Sequence, residues 1–223
     1  MKKTLLLAGV AGTMFAFNAN AFDLNPYVGA KILYSDVDAE LTYSDDYGTD
    51  KRTYDIGDKG LGGAIAVGAK VNVPYGAFRA ELEYSKKADA KKTYINQDDD
   101  KFNTKVEVQT YMINAFYDIN TGTKITPYIT GGIGYAKLKA KDQYWSEEWG
   151  KSLSKTKFAW QIGAGVTYDV NEHIAFDAGY RYIDCGDISV SGTGDAGAGA
   201  IYNEKEKLDV TANEVYMGLR YNF

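Results

Sequence analysis

The chain has 223 residues, with 25 basic and 30 acidic side chains, one histidine and a formal charge of −5. That length suits a single domain, and an acidic surface repels phosphate backbones, which sets nucleic acid aside as a partner. The lone cysteine, Cys185, excludes an internal disulfide as the element that holds the fold together.

The amino terminus comes first in chain order, and it reads as an address. Residues 1–21 carry Lys2 and Lys3, an apolar run from Leu5 to Phe17, and a small-x-small ending at Ala19-Asn20-Ala21. This is the layout of a cleaved secretory signal peptide. The expected division is therefore a signal peptide at 1–21 and one folded domain at 22–223. Cleavage removes two bases and no acid, so the formal charge of the remainder is −7.

From residue 22 onward no segment approaches the ~20 consecutive apolar residues of a membrane helix. What recurs is an apolar residue at every second position. The first strand carries Val28, Ala30, Ile32 and Tyr34, and the second Leu61, Gly63, Ile65, Val67, Ala69 and Val71. Phe78, Ala80, Leu82 and Tyr84 mark a third, and Tyr111, Ile113, Ala115 and Tyr117 a fourth. The fifth has Pro127, Ile129, Gly131, Ile133 and Tyr135, and the sixth Phe158, Trp160, Ile162, Ala164, Val166 and Tyr168. A seventh follows with Ile174, Phe176, Ala178, Tyr180 and Tyr182. The eighth closes the chain with Val215, Met217, Leu219, Tyr221 and Phe223. A period of two held over such segments specifies strands with one apolar face.

The connections alternate in length. Short turns lie at 74–76, 120–124 and 171–173, whereas long polar segments are expected at about 36–59, 86–104, 139–156 and 184–208. An even number of antiparallel strands with short turns at one end and long loops at the other is the layout of an outer-membrane barrel. The expected fold is all-β: an eight-stranded antiparallel up-and-down transmembrane barrel, with short periplasmic turns and long extracellular loops.

Alternation alone leaves open which face points outward, because a soluble eight-stranded barrel reverses the faces. Two features choose. The companion phase mixes small residues such as Gly68, Gly134 and Gly165 with Lys31, Lys70, Arg79, Glu81, Glu83, Asp177, Arg181, Glu214 and Arg220. A basic side chain facing lipid at mid-bilayer costs ~2–4 kcal/mol, so this phase belongs in the lumen. The apolar phase, for its part, ends in aromatic residues at both rims, as two membrane–water interfaces require.

With its leader, its eight alternating strands, the stretches "MINAFYDIN" (112–120) and "YITGGIGYA" (128–136), and the closing "VYMGLRYNF", the chain resembles the small eight-stranded outer-membrane barrels of Gram-negative bacteria. These are the superfamily of the OmpA transmembrane domain, OmpX and the Opa-like porins. The resemblance implies outer-membrane localisation, with lipid and lipopolysaccharide as surroundings. It implies that the terminal strand, Val215, Met217, Leu219, Tyr221 and Phe223, is the signal read by the barrel-assembly machinery. It also implies that the extracellular loops engage a host or cell-surface ligand.

The candidate interior site is a lumen ion-pair network of Lys31, Arg79, Glu81, Glu83, Asp177, Arg181, Glu214 and Arg220. Eight strands leave little room beyond their inward side chains, which favours a plugged barrel. A narrow porin for small ions or solutes stays as the alternative. No enzyme is expected: the sole histidine, His173, falls in a short turn on the side opposite the lipopolysaccharide, away from where a hydrolase of that leaflet needs its base. No cofactor or metal is expected either. The acids of "DVDAE" (Asp36, Asp38, Glu40) have Leu41 where a calcium loop requires glycine and Tyr47 where it requires Glu, and "QDDDK" (97–101) reads as a solvated loop. "GTGDAG" (192–197) matches a nucleotide fingerprint only in its letters, with no helix after it. Cys185 is expected as a half-buried thiol just past the seventh strand, or as a link to another chain. The expected state is a monomer with a structural or adhesin-like surface role.

Overall fold

A computed structural model describes residues 24–45, 52–55, 57–87, 90–95, 101–142, 153–195 and 201–223. The leader at 1–21, the acids at 98–100, Tyr47, and residues 196–197 of the glycine-rich motif lie outside them.

The described residues form ten strands and no helix: β1 (Leu24–Asp45), β2 (Arg52–Asp55), β3 (Asp58–Val73), β4 (Gly76–Lys86), β5 (Ala90–Ile95), β6 (Lys101–Ile119), β7 (Ile125–Asp142), β8 (Leu153–Asp169), β9 (Ile174–Asp195) and β10 (Ile201–Asn222). All neighbours are antiparallel, and pairing of β1 with β10 from Tyr27↔Asn222 outward closes the sheet on itself. Eight strands make the wall, while β2 and β5 prolong the hairpins on β1 and β6. Closure leaves no open edge, the condition for a sheet to sit in hydrocarbon. At the seam the terminal Phe223 N–H donates to Pro26 O at 3.0 Å.

The short turns hold themselves with local donors and acceptors. Asn120 Oδ1 accepts from the Gly122 amide at 2.9 Å, and Gly122 takes φ = +69°, a conformation that disfavours any Cβ. Asn171 Oδ1 does the same work in the last turn for the amides of His173 and Ile174.

The apolar phase faces out. Ile32, Leu61, Ile65, Ile113, Ile133, Ile162 and Met217 are each more than half exposed, a face that only lipid makes favourable. Aromatic pairs stand at both rims of this wall: Phe78–Tyr117 (5.0 Å) and Tyr221–Phe223 (5.3 Å) at the short-turn end, Tyr84–Tyr111 (5.1 Å) and Trp160–Tyr182 (5.7 Å) at the other. On one side the register lines up four rings in a row, Tyr84↔Tyr111↔Tyr135↔Phe158.

The strands run further than their lipid-facing pattern indicates. A tilted spanning strand needs ~9–11 residues, and β1, β9 and β10 have 22 each. The long loops expected from 36, 86, 139 and 184 therefore begin as paired strand. The reason is a change of phase at the outer aromatic row. Below it Tyr34, Tyr111 and Tyr135 point out. Above it the buried, inward positions are Val37, Ala39, Val108, Leu138, Ile183, Val210 and Ala212, and the outward ones are polar. The wall is apolar outside where it meets lipid and apolar inside where it meets water. Such a switch interrupts a single alternation, so the pattern in the sequence stops short of the strand.

One bulge accompanies the switch. In β9 the register steps so that Cys185 and Gly186 together oppose Val210. Gly186 adopts φ = +79°, and its amide is held by Asp184 Oδ1 at 2.8 Å.

Candidate functional site

Among the described residues, ten charged side chains are buried inside the wall: Lys31, Arg79, Lys87, Arg181 and Arg220 against Glu81, Glu83, Asp118, Asp177 and Glu214. Their positions follow from strand parity, since each occupies an inward register of its strand. The two sets are equal in number, five bases against five acids. A buried ion without a partner is costly by several kcal/mol, and pairing is what lets so many coexist.

The pairs form two groups at different heights. In the upper one, Lys31 Nζ bridges Glu81 (2.7 Å) and Glu83 (2.5 Å), and Arg181 bridges Glu83 (Nη1, 2.7 Å) and Glu214 (Nε, 2.7 Å). Lys87 Nζ also pairs with Glu214, whose Oε1 accepts from Ser35 Oγ at 2.6 Å. The chain Glu81–Lys31–Glu83–Arg181–Glu214–Lys87 thus links β4 with β1, β9 and β10 and returns to the end of β4. The lower group lies toward the short turns. Arg79 Nε donates to Asp118 Oδ1 at 3.0 Å, and its Nη2 lies 2.9 Å from the same oxygen without hydrogen-bond alignment. Arg220 Nη1 is 3.8 Å from Asp177, which accepts from Thr167 Oγ1 at 2.5 Å.

Aromatic rings fill the space between. Tyr128 and Tyr216 meet with their hydroxyls 2.8 Å apart. Arg79 lies over Phe116 (4.2 Å) and Tyr128 (5.0 Å), Arg181 over Tyr216 (5.4 Å) and Arg220 over Tyr27 (5.2 Å). The faces of these rings offer the guanidinium groups a further electrostatic partner. Tyr27 in turn donates to Glu81 at 3.2 Å, linking the two groups.

Above the ions sits an apolar layer. Val37, Ala39, Val108, Met112, Ala136, Leu138, Ala159, Ile183, Cys185, Val210 and Ala212 form one cluster with Leu208 packed on it. The described interior is therefore ionic below and mainly apolar above, with Lys87 entering beside Val108.

All eight residues expected in the network are inward and take part in these contacts. Lys87 and Asp118 were not among them. Asp118 has the inward parity of Asn114 and Phe116, so its signal was present in "AFYDIN". Lys87 continues Arg79, Glu81, Glu83 and Ser85 but lies beyond the expected loop boundary at 86. Val215, Met217, Leu219, Tyr221 and Phe223 all face lipid and are exposed. His173 stays in its turn, stacked on Tyr221 at 5.8 Å, with Nδ1 3.0 Å from Asn222 O. Asp36 pairs with Lys59 at 2.7 Å, and no group of three or more candidate metal ligands is present among the described residues.

Cys185 departs from the expected half-buried thiol past the strand. It lies inside β9, fully buried in the apolar layer, because it shares the inward parity of Arg181 and Ile183 and β9 continues past it. It is expected to resist a water-soluble maleimide in the folded protein and to react fully after boiling in detergent; labelling of the folded form at the rate of a free thiol would place it elsewhere.

A closed barrel with a lipid-facing apolar wall, two aromatic rims and a filled ionic interior is a bacterial outer-membrane β-barrel protein. More specifically, the chain belongs to the outer membrane protein beta-barrel domain family, which it matches over residues 4–223. It is 36% identical over 123 residues to the outer membrane protein PagN of Salmonella typhimurium, covering 53% of this chain and 51% of PagN. It is 31% identical over 139 residues to an uncharacterized protein of Brucella abortus, covering 54% and 49%. The chain thus spans about half the length of the curated relatives it matches. Among solved structures, OprG of Pseudomonas aeruginosa aligns with a TM-score of 0.51 at 17% identity, covering 91% of this chain and 97% of that one. Neisserial surface protein A aligns at 0.50 and 18%, covering 89% and 97%. These two likenesses concern the fold.

Proposed function

We propose that this protein is a plugged scaffold whose work is done by its extracellular hairpins, in a structural or adhesin-like role. The observation that carries this reading is the two-storey interior. Ions in register neutralise each other below, apolar side chains pack above, and the hairpins then stand as paired strand on that base. A binding loop rooted on a rigid support loses less entropy when it engages a ligand. The family relationship supports the same reading. We further propose that residues 1–21 are a cleaved export leader, that Val215 to Phe223 form the assembly signal, and that the barrel acts as a monomer.

Replacing residues 46–51 and 196–200 by two-residue Asn-Gly turns tests it. Bacteria displaying the shortened protein are expected to lose the adhesion to cultured epithelial monolayers that the full protein confers, with the barrel still folded. In planar bilayers both forms are expected to stay silent. Unchanged adhesion, or stepwise conductance sensitive to Glu81 or Arg181, would favour the narrow porin instead.

A further inference from the structure

Five buried side-chain atoms of the described interior have no hydrogen-bond partner, and they differ in kind between the two groups of ions. In the upper group they are one acceptor, Gln161 Oε1, and one donor, Arg181 Nη2. These residues are diagonal neighbours on β8 and β9, where Gln161 opposes Ile183 and Gly163 opposes Arg181. One water, which both donates and accepts, suits them. In the lower group all three atoms are donors: Arg79 Nη2, Arg220 Nε and Arg220 Nη1. Both of these arginines are only 3% exposed.

The acids at this height leave those donors open. Asp118 Oδ1 accepts from Arg79 Nε and is out of line with Nη2. Asp177 Oδ1 accepts from Thr167 at 2.5 Å and stands 3.8 Å from Arg220 Nη1, too far to accept from it. Glu81 is taken by Lys31 and Tyr27. Nearer the mouth, the partly exposed Lys70 opposes Arg79 on β3, and the partly exposed Asp169 follows Thr167 on the inward side of β8. They add one base and one acid.

We propose that the lower lumen binds one small inorganic anion of chloride size between Arg220 and Arg79, taken up from the periplasmic side. A buried donor left without an acceptor costs ~1–3 kcal/mol, and more when it is charged. Three donors with no unpartnered acceptor among them suit a ligand that only accepts, whereas a water brings two hydrogens that need acceptors of their own. The two arginines share their surroundings. Asp177 and Tyr27 both act electrostatically on Arg79, and the same two groups lie against Arg220, Tyr27 with its ring 5.2 Å away. Rings also fix the direction of approach: Phe116 and Tyr128 cover Arg79 and Tyr27 covers Arg220, which leaves the in-plane N–H groups for the anion. The way in is short. The next inward residues toward the turns on β4 and β9 are Ala77 and Ala175, the smallest side chains that keep the strand regular. Toward the outside, the apolar layer separates this site from the extracellular face.

The test unfolds the full chain in urea at constant ionic strength, with sodium chloride exchanged stepwise for sodium gluconate, whose anion is too large for the lumen. The gel shift between unheated and boiled samples reads the folded fraction. The folded-to-unfolded ratio is expected to rise about tenfold for each tenfold rise in chloride above half-saturation, the slope of one bound ligand, and bromide is expected to replace chloride. R220Q is expected to flatten that slope whatever its midpoint, while K137Q/K139Q, changed outside the lumen, keeps it. Wild-type crystals grown in bromide are expected to show an anomalous peak between Arg220 and Arg79, a measurement that needs no variant to fold. Equal midpoints in chloride and gluconate overturn the proposal. So does a slope retained in R220Q, which would move the anion elsewhere, and so does a water in place of bromide between the arginines. A bromide peak without any slope in solution also overturns it, as binding at crystal concentration only.

Discussion

Replacing Glu214 by alanine is expected to destabilise the folded barrel by about 3–5 kcal/mol, the cost of leaving a buried charge without its partner. Glu214 is fully buried and uses both oxygens: Oε1 for Lys87 and Ser35, Oε2 for Arg181 at 2.7 Å. Arg181 keeps Glu83 when Glu214 is lost, whereas Lys87 loses the carboxylate it is paired with. The lumen then carries one uncompensated positive charge under a mainly apolar layer. The urea midpoint at which the unheated, fast-migrating form disappears reports the loss. A second variant separates charge from packing: E214Q with K87M removes both charges of the pair and keeps most of the volume, and is expected to recover more than half of the lost stability. A midpoint for E214A within ~0.5 kcal/mol of wild type, the range of ordinary surface changes, would mean the network contributes nothing as a network.

The second large effect is expected at Gly165. The register places Tyr128↔Gly165, Gly165↔Gly179 and Gly179↔Tyr216 across four strands, so the two tyrosine rings lie over two glycines. A Cβ on Gly165 would come within 2.4 Å of both the Tyr128 hydroxyl and the Ala178 carbonyl oxygen. In a closed barrel neither the ring nor the neighbouring strand has free space to move into. Overpacking a filled interior costs ~1–3 kcal/mol, and G165V is expected at the upper end of that range, with slower insertion into vesicles. Adding Y128L removes the ring clash and is expected to recover part of the loss, the remainder belonging to the Ala178 oxygen. Gly131 supplies the contrast. It faces lipid, and the nearest atom to its Cβ is Gln161 O at 3.8 Å, so G131V is expected to fold with a midpoint at or above wild type. If G165V and G131V behave alike, the interior is looser than these contacts require.

Strand order and facing were open to a reading of the residues alone because alternation is local. Lys31, Glu81 and Arg181 each share a parity with glycine and alanine neighbours, and that parity needs no knowledge of what lies across the barrel. The same holds for the aromatic rims, since height along a strand is counted in residues. The upper interior was hidden for a physical reason: at Tyr34, Tyr111, Tyr135 and Tyr182 the surroundings of the wall change from lipid to water, and the apolar side changes with them. Val37, Leu138 and Ile183 follow their tyrosines out of phase, which resembles the start of a loop.

What the amino acids determined by themselves is the number of spanning strands, the side of each that meets lipid, and eight of the ten charges buried among the described residues, all consequences of a two-residue repeat. Tertiary structure alone decided who meets whom: that Glu83 is shared by Lys31 and Arg181, that Lys87 reaches Glu214, and that Cys185 ends in the apolar layer. Those contacts join residues on different strands, and only closure of the ring, with its fixed register, brings them to one height.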